Sequence, residues 1–185
     1  GALASGALAS GALASGALAE NVDLAGQLAT VNSQNCGLML DEKWARRGVL
    51  FGDLDRLVAA HSDLLKPHLL ARAVDPHYDK FSALHAAFWS GGTLLYVPRN
   101  VEIDQPLHTL SALAEGQVDL SHTLVVLEEG AEATLLAESL SLPEAKTGLH
   151  CGAVELLLAP RSHFRYINLQ NWGHGVWHFS HQKAL

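Results

Sequence analysis

The chain carries one short unit three times over, and that repetition restricts its possible folds more than any other feature. The copies read Val97-Pro98-Arg99-Asn100-Val101-Glu102-Ile103, Leu127-Glu128-Glu129-Gly130-Ala131-Glu132-Ala133 and Leu158-Ala159-Pro160-Arg161-Ser162-His163-Phe164, thirty and thirty-one residues apart. Each leaves an apolar residue, passes two turn-compatible residues and a third position that is Asn100 or Gly130 in two copies, and returns to apolar character. A unit of this period cannot bury its own core and needs its neighbours, as in stacked, solenoid-like proteins.

The residues between the copies agree with stacking. Short strand-like runs occupy 94–97, 123–127, 133–137, 153–158 and 164–169, separated by turn chemistry. Several are apolar on both faces, as strands covered on each side require. Residues 140–148, with Pro143 and Gly148, read as a looser excursion. The expected fold is mainly β with a helical N-terminal region, arranged as a partial right-handed parallel β-helix. A β-sandwich or jelly roll is the alternative, because short strands with frequent turns also fit it.

Three segments are expected. Residues 1–20 read GALAS three times and then GALAE, with Leu3, Leu8, Leu13 and Leu18 spaced by five. At 3.6 residues per turn those leucines spiral around a helix and form no stripe, so the segment reads as a low-complexity linker or tail. Residues 21–92 form a helical N-terminal region. In it Asn32, Ser33, Asn35 and Gly37 are turn formers, a short helix follows over 41–47, and 49–51 read as a strand ended by Gly52. Asp53 is a good N-cap for a helix burying Leu54, Leu57 and Val58, and a second helical segment starts near Ser62, with Pro67 kinking or restarting it. Asp75-Pro76 reads as a third helix start, leading to Phe81, Leu84, His85 and Phe88 at helical spacing before Gly91-Gly92. Residues 93–185 form the β core, expected to be truncated at its C-terminal end.

Composition removes several functions. The net charge of −7 leaves no electrostatic footprint for nucleic acid or an anionic membrane. Outside the N-terminal repeat no uncharged apolar run approaches the roughly 20 residues that span a bilayer. Cys36 and Cys151 are too few for a disulfide framework, which makes a reducing cytoplasm the expected location. Neither a GxxxxGK(S/T) phosphate loop nor a GxSxG elbow occurs, so ATP hydrolysis and α/β-hydrolase chemistry are not expected of this chain.

Eleven histidines supply the main chemical candidates, densest at His174, His178 and His181, beside His150 and His163. Neutral imidazoles suit iron, zinc or copper, so a metal-dependent β-fold enzyme on His174, His178 and His181 is one reading. Against it, His178 and His181 point to opposite faces of an extended strand, and no HExxH or HxH pattern occurs. Cys151 can accept sulfur or bind a soft metal as thiolate; as a single Cys in an apolar strand it reads first as a packed hydrophobe. Trp172, Trp177 and Phe179 read as packing at a sheet edge, and Glu128, Glu129 and Glu132 as solvated turn carboxylates.

Several separate stretches together resemble one family. Lys80-Phe81-Ser82-Ala83-Leu84-His85-Ala86-Ala87-Phe88-Trp89-Ser90-Gly91-Gly92-Thr93 and Leu95-Tyr96-Val97-Pro98 resemble the SufB/SufD family of iron-sulfur cluster assembly proteins. So do Val125-Val126-Leu127-Glu128-Glu129-Gly130-Ala131, Val154-Glu155, Leu169-Gln170-Asn171-Trp172 and Trp177-His178-Phe179-Ser180-His181-Gln182, nearer to SufD than to SufB. With residues 48–55 the resemblance runs from about Leu38 to Leu185. It implies a cytoplasmic β-helix scaffold that works with a SufB-type subunit and the ATPase SufC, building iron-sulfur clusters while SufC consumes ATP, without catalysis or a bound cofactor of its own. It also implies that this chain is the N-terminal part only: the ATPase-docking segment and the Cys and His positions of cluster assembly lie beyond residue 185. No site residue is carried over by the resemblance.

Overall fold

The computed structural model describes residues 18–19, 21–70, 73–143 and 145–185, so the tail reading of residues 1–20 falls almost wholly outside them. In chain order the elements are β1 (Gly26–Val31), β2 (Gln34–Leu40), α1 (Glu42–Ala45), β3 (Leu50–Asp53), α2 (Leu54–Ala60), α3 (Ser62–Leu65) and α4 (Lys80–Phe88). There follow β4 (Gly92–Val97), β5 (Leu107–Leu113), β6 (Gln117–Asp119), β7 (His122–Leu127), β8 (Glu132–Ser141), β9 (Gly148–Leu158), β10 (His163–Asn171) and β11 (Val176–Ala184). Among the described residues the protein is mainly β, with two mixed sheets and no closed barrel.

One sheet has the order β10-β8-β5-β1-β2 and the other β11-β9-β7-β4-β3, with β6 beside β9. All pairings among β4 to β11 are parallel, and β5, β8 and β10 alternate along the chain with β7, β9 and β11. The two antiparallel pairings, β1 with β2 and β3 with β4, close the N-terminal side. The three repeated units are the turns between consecutive strands of opposite sheets. Asn100, Gly130 and Arg161 all take left-handed backbone, with φ of 57°, 69° and 60°. Asn100 N–H donates to Glu129 O at 3.0 Å and Gly130 N–H to Pro160 O at 3.2 Å, so each turn rests on the next.

Alternation along the strands explains why they are apolar on both sides. Leu95, Val97, Val125 and Leu127 face Leu28, Leu107 and Leu135 of the other sheet in one buried core. Their neighbours Leu94, Tyr96, Leu124 and Val126 face outward, where Leu54, Leu65 and Ala73 of the helical region cover them. Loss of any such fully buried leucine side chain costs about 2–5 kcal/mol.

Local signals place the helices well in three cases and poorly in one. Asp41 caps α1 by accepting from Lys43 N–H at 2.9 Å, and Asp53 caps α2 by accepting from Arg56 N–H at 3.0 Å. α3 begins at the expected Ser62 and stops before Pro67. Asp75-Pro76, by contrast, starts no helix. Asp75 accepts from His77 N–H at 2.8 Å and its carbonyl from Tyr78 N–H at 3.1 Å, which makes a turn; the helix starts after Asp79, whose carboxylate accepts from Ser82 N–H at 2.7 Å. The segment read as turn formers holds the β1–β2 hairpin, with Asn32 and Ser33 both left-handed at its tip.

Candidate functional site

Helix α4 lies across β9 and β11, and the functional groups fall on its two sides and inside the sheets. On the outer face, α4 and residues 73–79 wall a groove of about 710 Å³ against β9 and β11. Phe81 stacks on Phe179 with ring centroids 3.6 Å apart, Ser82 Oγ lies 3.1 Å from His181 Nδ1, and Tyr78 tilts against the His181 ring. Cys151 is buried in this wall and its thiol donates to Phe81 O at 3.5 Å. Burial pushes the Cys151 thiol up, and Asp79 adds to it, so the sulfur is held as a neutral thiol.

Deeper under α4 sits a fully buried polar group. His122 Nε2–H donates to Glu155 Oε2 at 3.1 Å, and the same carboxylate accepts from Leu70, Ala73 and Val74 N–H at 2.8, 3.1 and 3.0 Å. Burial raises Glu155, but the His122 bond and the backbone donors outweigh it and hold the carboxyl below its usual range. His85 from α4 stacks beside His122 at 5.2 Å and donates Nε2–H to Ser121 O at 3.2 Å. Burial, with His122 nearby, lowers His85 to about 4, so it is neutral at pH 7.

A second polar line runs on the inner face. Ser33 and Ser121 hydroxyls donate to the two oxygens of buried Asp119, and His150 Nε2 lies 3.3 Å from Ser121 Oγ and 3.4 Å from Asp119 Oδ2. His150 Nδ1 meets His178 Nδ1 at 2.9 Å, and Trp172 packs against both rings. Ser121 spends its one proton on Asp119, so it can only accept from His150. His150, lowered to about 3 by burial and by His178, is then bare at Nδ1 and accepts from His178.

The three clustered histidines are therefore separated. His178 turns inward to His150, His181 turns outward to Ser82, and His174 is exposed on the β10–β11 turn. Among the described residues no three His, Cys, Asp or Glu side chains converge in a way that could hold a metal ion. The sequence reading gave His85 and Glu155 no polar role and did not single out His122 or Asp119. A signal was present in Glu155, a carboxylate inside the apolar run 153–158, since a buried charge demands partners.

Two stacked, largely parallel sheets with a helical layer, tied by buried imidazoles and carboxylates, define a protein whose polar chemistry fastens elements together. Residues 23–109 match the SufBD protein N-terminal region, and residues 109–185 match the SufBD core domain of the SUF system for FeS cluster assembly. The chain is 29% identical over 163 residues to an iron-sulfur cluster assembly SufBD family protein of Staphylococcus saprophyticus, covering 88% of this chain and 35% of that protein. Proteins of the same description from Staphylococcus haemolyticus and Staphylococcus aureus are 30% identical over 155 residues, covering 83% of this chain and 33% of theirs. The chain thus spans about a third of the length of these relatives. It belongs to the SufB/SufD family.

Proposed function

We propose that this chain acts in iron-sulfur cluster assembly as a SufD-like scaffold subunit of a SufBCD-type complex, without catalysis of its own. The observation that carries the reading is the uninterrupted succession of the two SufBD matches over residues 23–185, laid on one stack of alternating sheets. The stack supports a partial right-handed parallel β-helix: one strand per sheet per repeat, parallel registers, and turns that bond to the next turn. Residues 21–92, in which α1–α4 stand beside strands β1–β3, serve as the entrance and 93–185 as the rungs.

In this reading the iron-sulfur cluster is cargo, a SufB-type subunit is the neighbour, and ATP is consumed by a SufC ATPase. Buried, hydrogen-bonded imidazoles and a neutral thiol suit a rigid support better than an exposed reactive centre. The protein works in the cytoplasm; no helix among the described residues is long and apolar enough to cross a membrane. Co-expression with a SufB-type subunit and SufC tests the assignment. Co-purification at fixed stoichiometry, with cluster content lost when this chain is omitted, is the expected result. Recovery of the other two with full cluster content in its absence refutes it.

A further inference from the structure

The interior between the two sheets is apolar over only part of its length. Two residues along each strand from the buried Leu28, Leu95 and Val125, the same inward face carries Thr30, Thr93 and Thr123. In one sheet Thr30, Ser111, Ser139 and Gln170 stand in register on successive strands. In the other, Thr93, Thr123, Val154 and Gln182 do the same. The two rows wall a cavity of about 60 Å³ between the sheets, with Gln170 and Gln182 on its open side. Ser111, Thr123 and Ser139 are half-buried there, whereas Leu107, Val125 and Leu135, nearer the repeated turns, are fully buried. Ser111 Oγ is itself buried and has no hydrogen-bond partner in the protein, which destabilises a dry site.

We propose that this cavity is a hydration site, in which a small cluster of water bridges the hydroxyls and amides of the two facing rows. The volume admits about two to four waters and is far below that of a cofactor-sized pocket. Neither row carries a charged side chain, and Glu138, beside Ser139, turns its carboxylate to the opposite face, 3.4 Å from His108 Nε2. An ion therefore meets no counter-charge, and among the described residues no three His, Cys, Asp or Glu converge on a metal. An apolar occupant would leave the hydroxyls unpaired, whereas water both donates and accepts at this size. The rungs are then held by apolar packing on the side of the repeated turns and by water-bridged hydroxyls on the other. The site depends on the stack alone and not on the assembly role.

Water-to-methyl cross-relaxation NMR of the intact chain, with labelled methyl groups, tests it. Cross-peaks to water are expected at the methyls of Thr30, Thr93 and Val154, and none at those of Leu95 and Val125. Thr123→Val should weaken the Val154 cross-peak severalfold, read on protein shown folded by its remaining spectrum. Ser111→Ala should leave the melting temperature unchanged or lower it, because a bound water loses a partner. Val154 methyls silent towards water, or a melting temperature raised by Ser111→Ala, as removal of a hydroxyl from a dry site would give, overturns the proposal.

Discussion

His122 Nε2 and Glu155 Oε2 lie 3.1 Å apart with both side chains fully buried. Leu70, Ala73 and Val74 add backbone donors to the same carboxylate. Removing the charge leaves those donors facing a weaker or wrongly polarised group. Glu155→Gln, whose amide presents N–H to N–H, is expected to cost about 3 kcal/mol, within the range for breaking a buried charged network. Urea unfolding with an unchanged slope and a lowered midpoint is the readout.

Acid should weaken the fold in two stages, both with the same sign. His85 and His150 are lowered to about 4 and about 3, so below pH 6.5 the unfolded chain takes up protons that the folded chain refuses. Stability is full above about pH 7 and falls as the pH drops through that window; for His85 the integral is about 3 kcal/mol. Glu155, held below its usual value, adds a further loss as the pH falls below 4.5 towards its folded pKa. Unfolding free energy measured from pH 8 to 4 should decline, and His85→Phe should flatten the upper stage.

The stacked turns set a test of backbone geometry. A Cβ at Gly130 would meet Asn100 Oδ1 at 2.5 Å on a residue with φ of 69°. Gly130→Ala is expected to cost about 1–3 kcal/mol. Asn100→Ala in the same chain should recover the steric part, and a double-mutant cycle of melting temperatures reads that coupling.

The two cysteines should react very differently. Cys36 is half-buried, whereas Cys151 is 2% exposed, held neutral and bonded to Phe81 O. One thiol per chain should titrate quickly under native conditions and two in denaturant; Cys36→Ser should remove the fast one.

The histidines provide a contrast within one strand and its turn. His178→Ala strands His150 Nδ1 and should cost about 1–3 kcal/mol. Exposed His174→Ala should change stability by less than about 0.5 kcal/mol. Equal effects in thermal unfolding would falsify the inner-face assignment.

The repeat made the stacking legible because Asn100 and Gly130 sit where left-handed backbone is needed; Arg161, in the same conformation, carries no such mark. The opposite facing of His178 and His181 followed from strand periodicity alone. The β1–β2 hairpin was hidden because Gly26, Gln34, Asn35 and Gly37 interrupt any clean alternation, and its order comes from pairing with β5. The polar sites were illegible for a related reason. Glu155 finds His122 33 positions away and Asp119 finds Ser33 86 away, and such partners exist only once the rungs are stacked. Asp75-Pro76 misled because a cap residue with proline also makes a turn.

The most direct measurement is size-exclusion chromatography with light scattering of this chain mixed with a SufB-type subunit and the SufC ATPase. A single species of summed mass containing this chain is expected, with ATP hydrolysis traceable to SufC alone. Elution of this chain by itself while the other two associate and assemble clusters would contradict it.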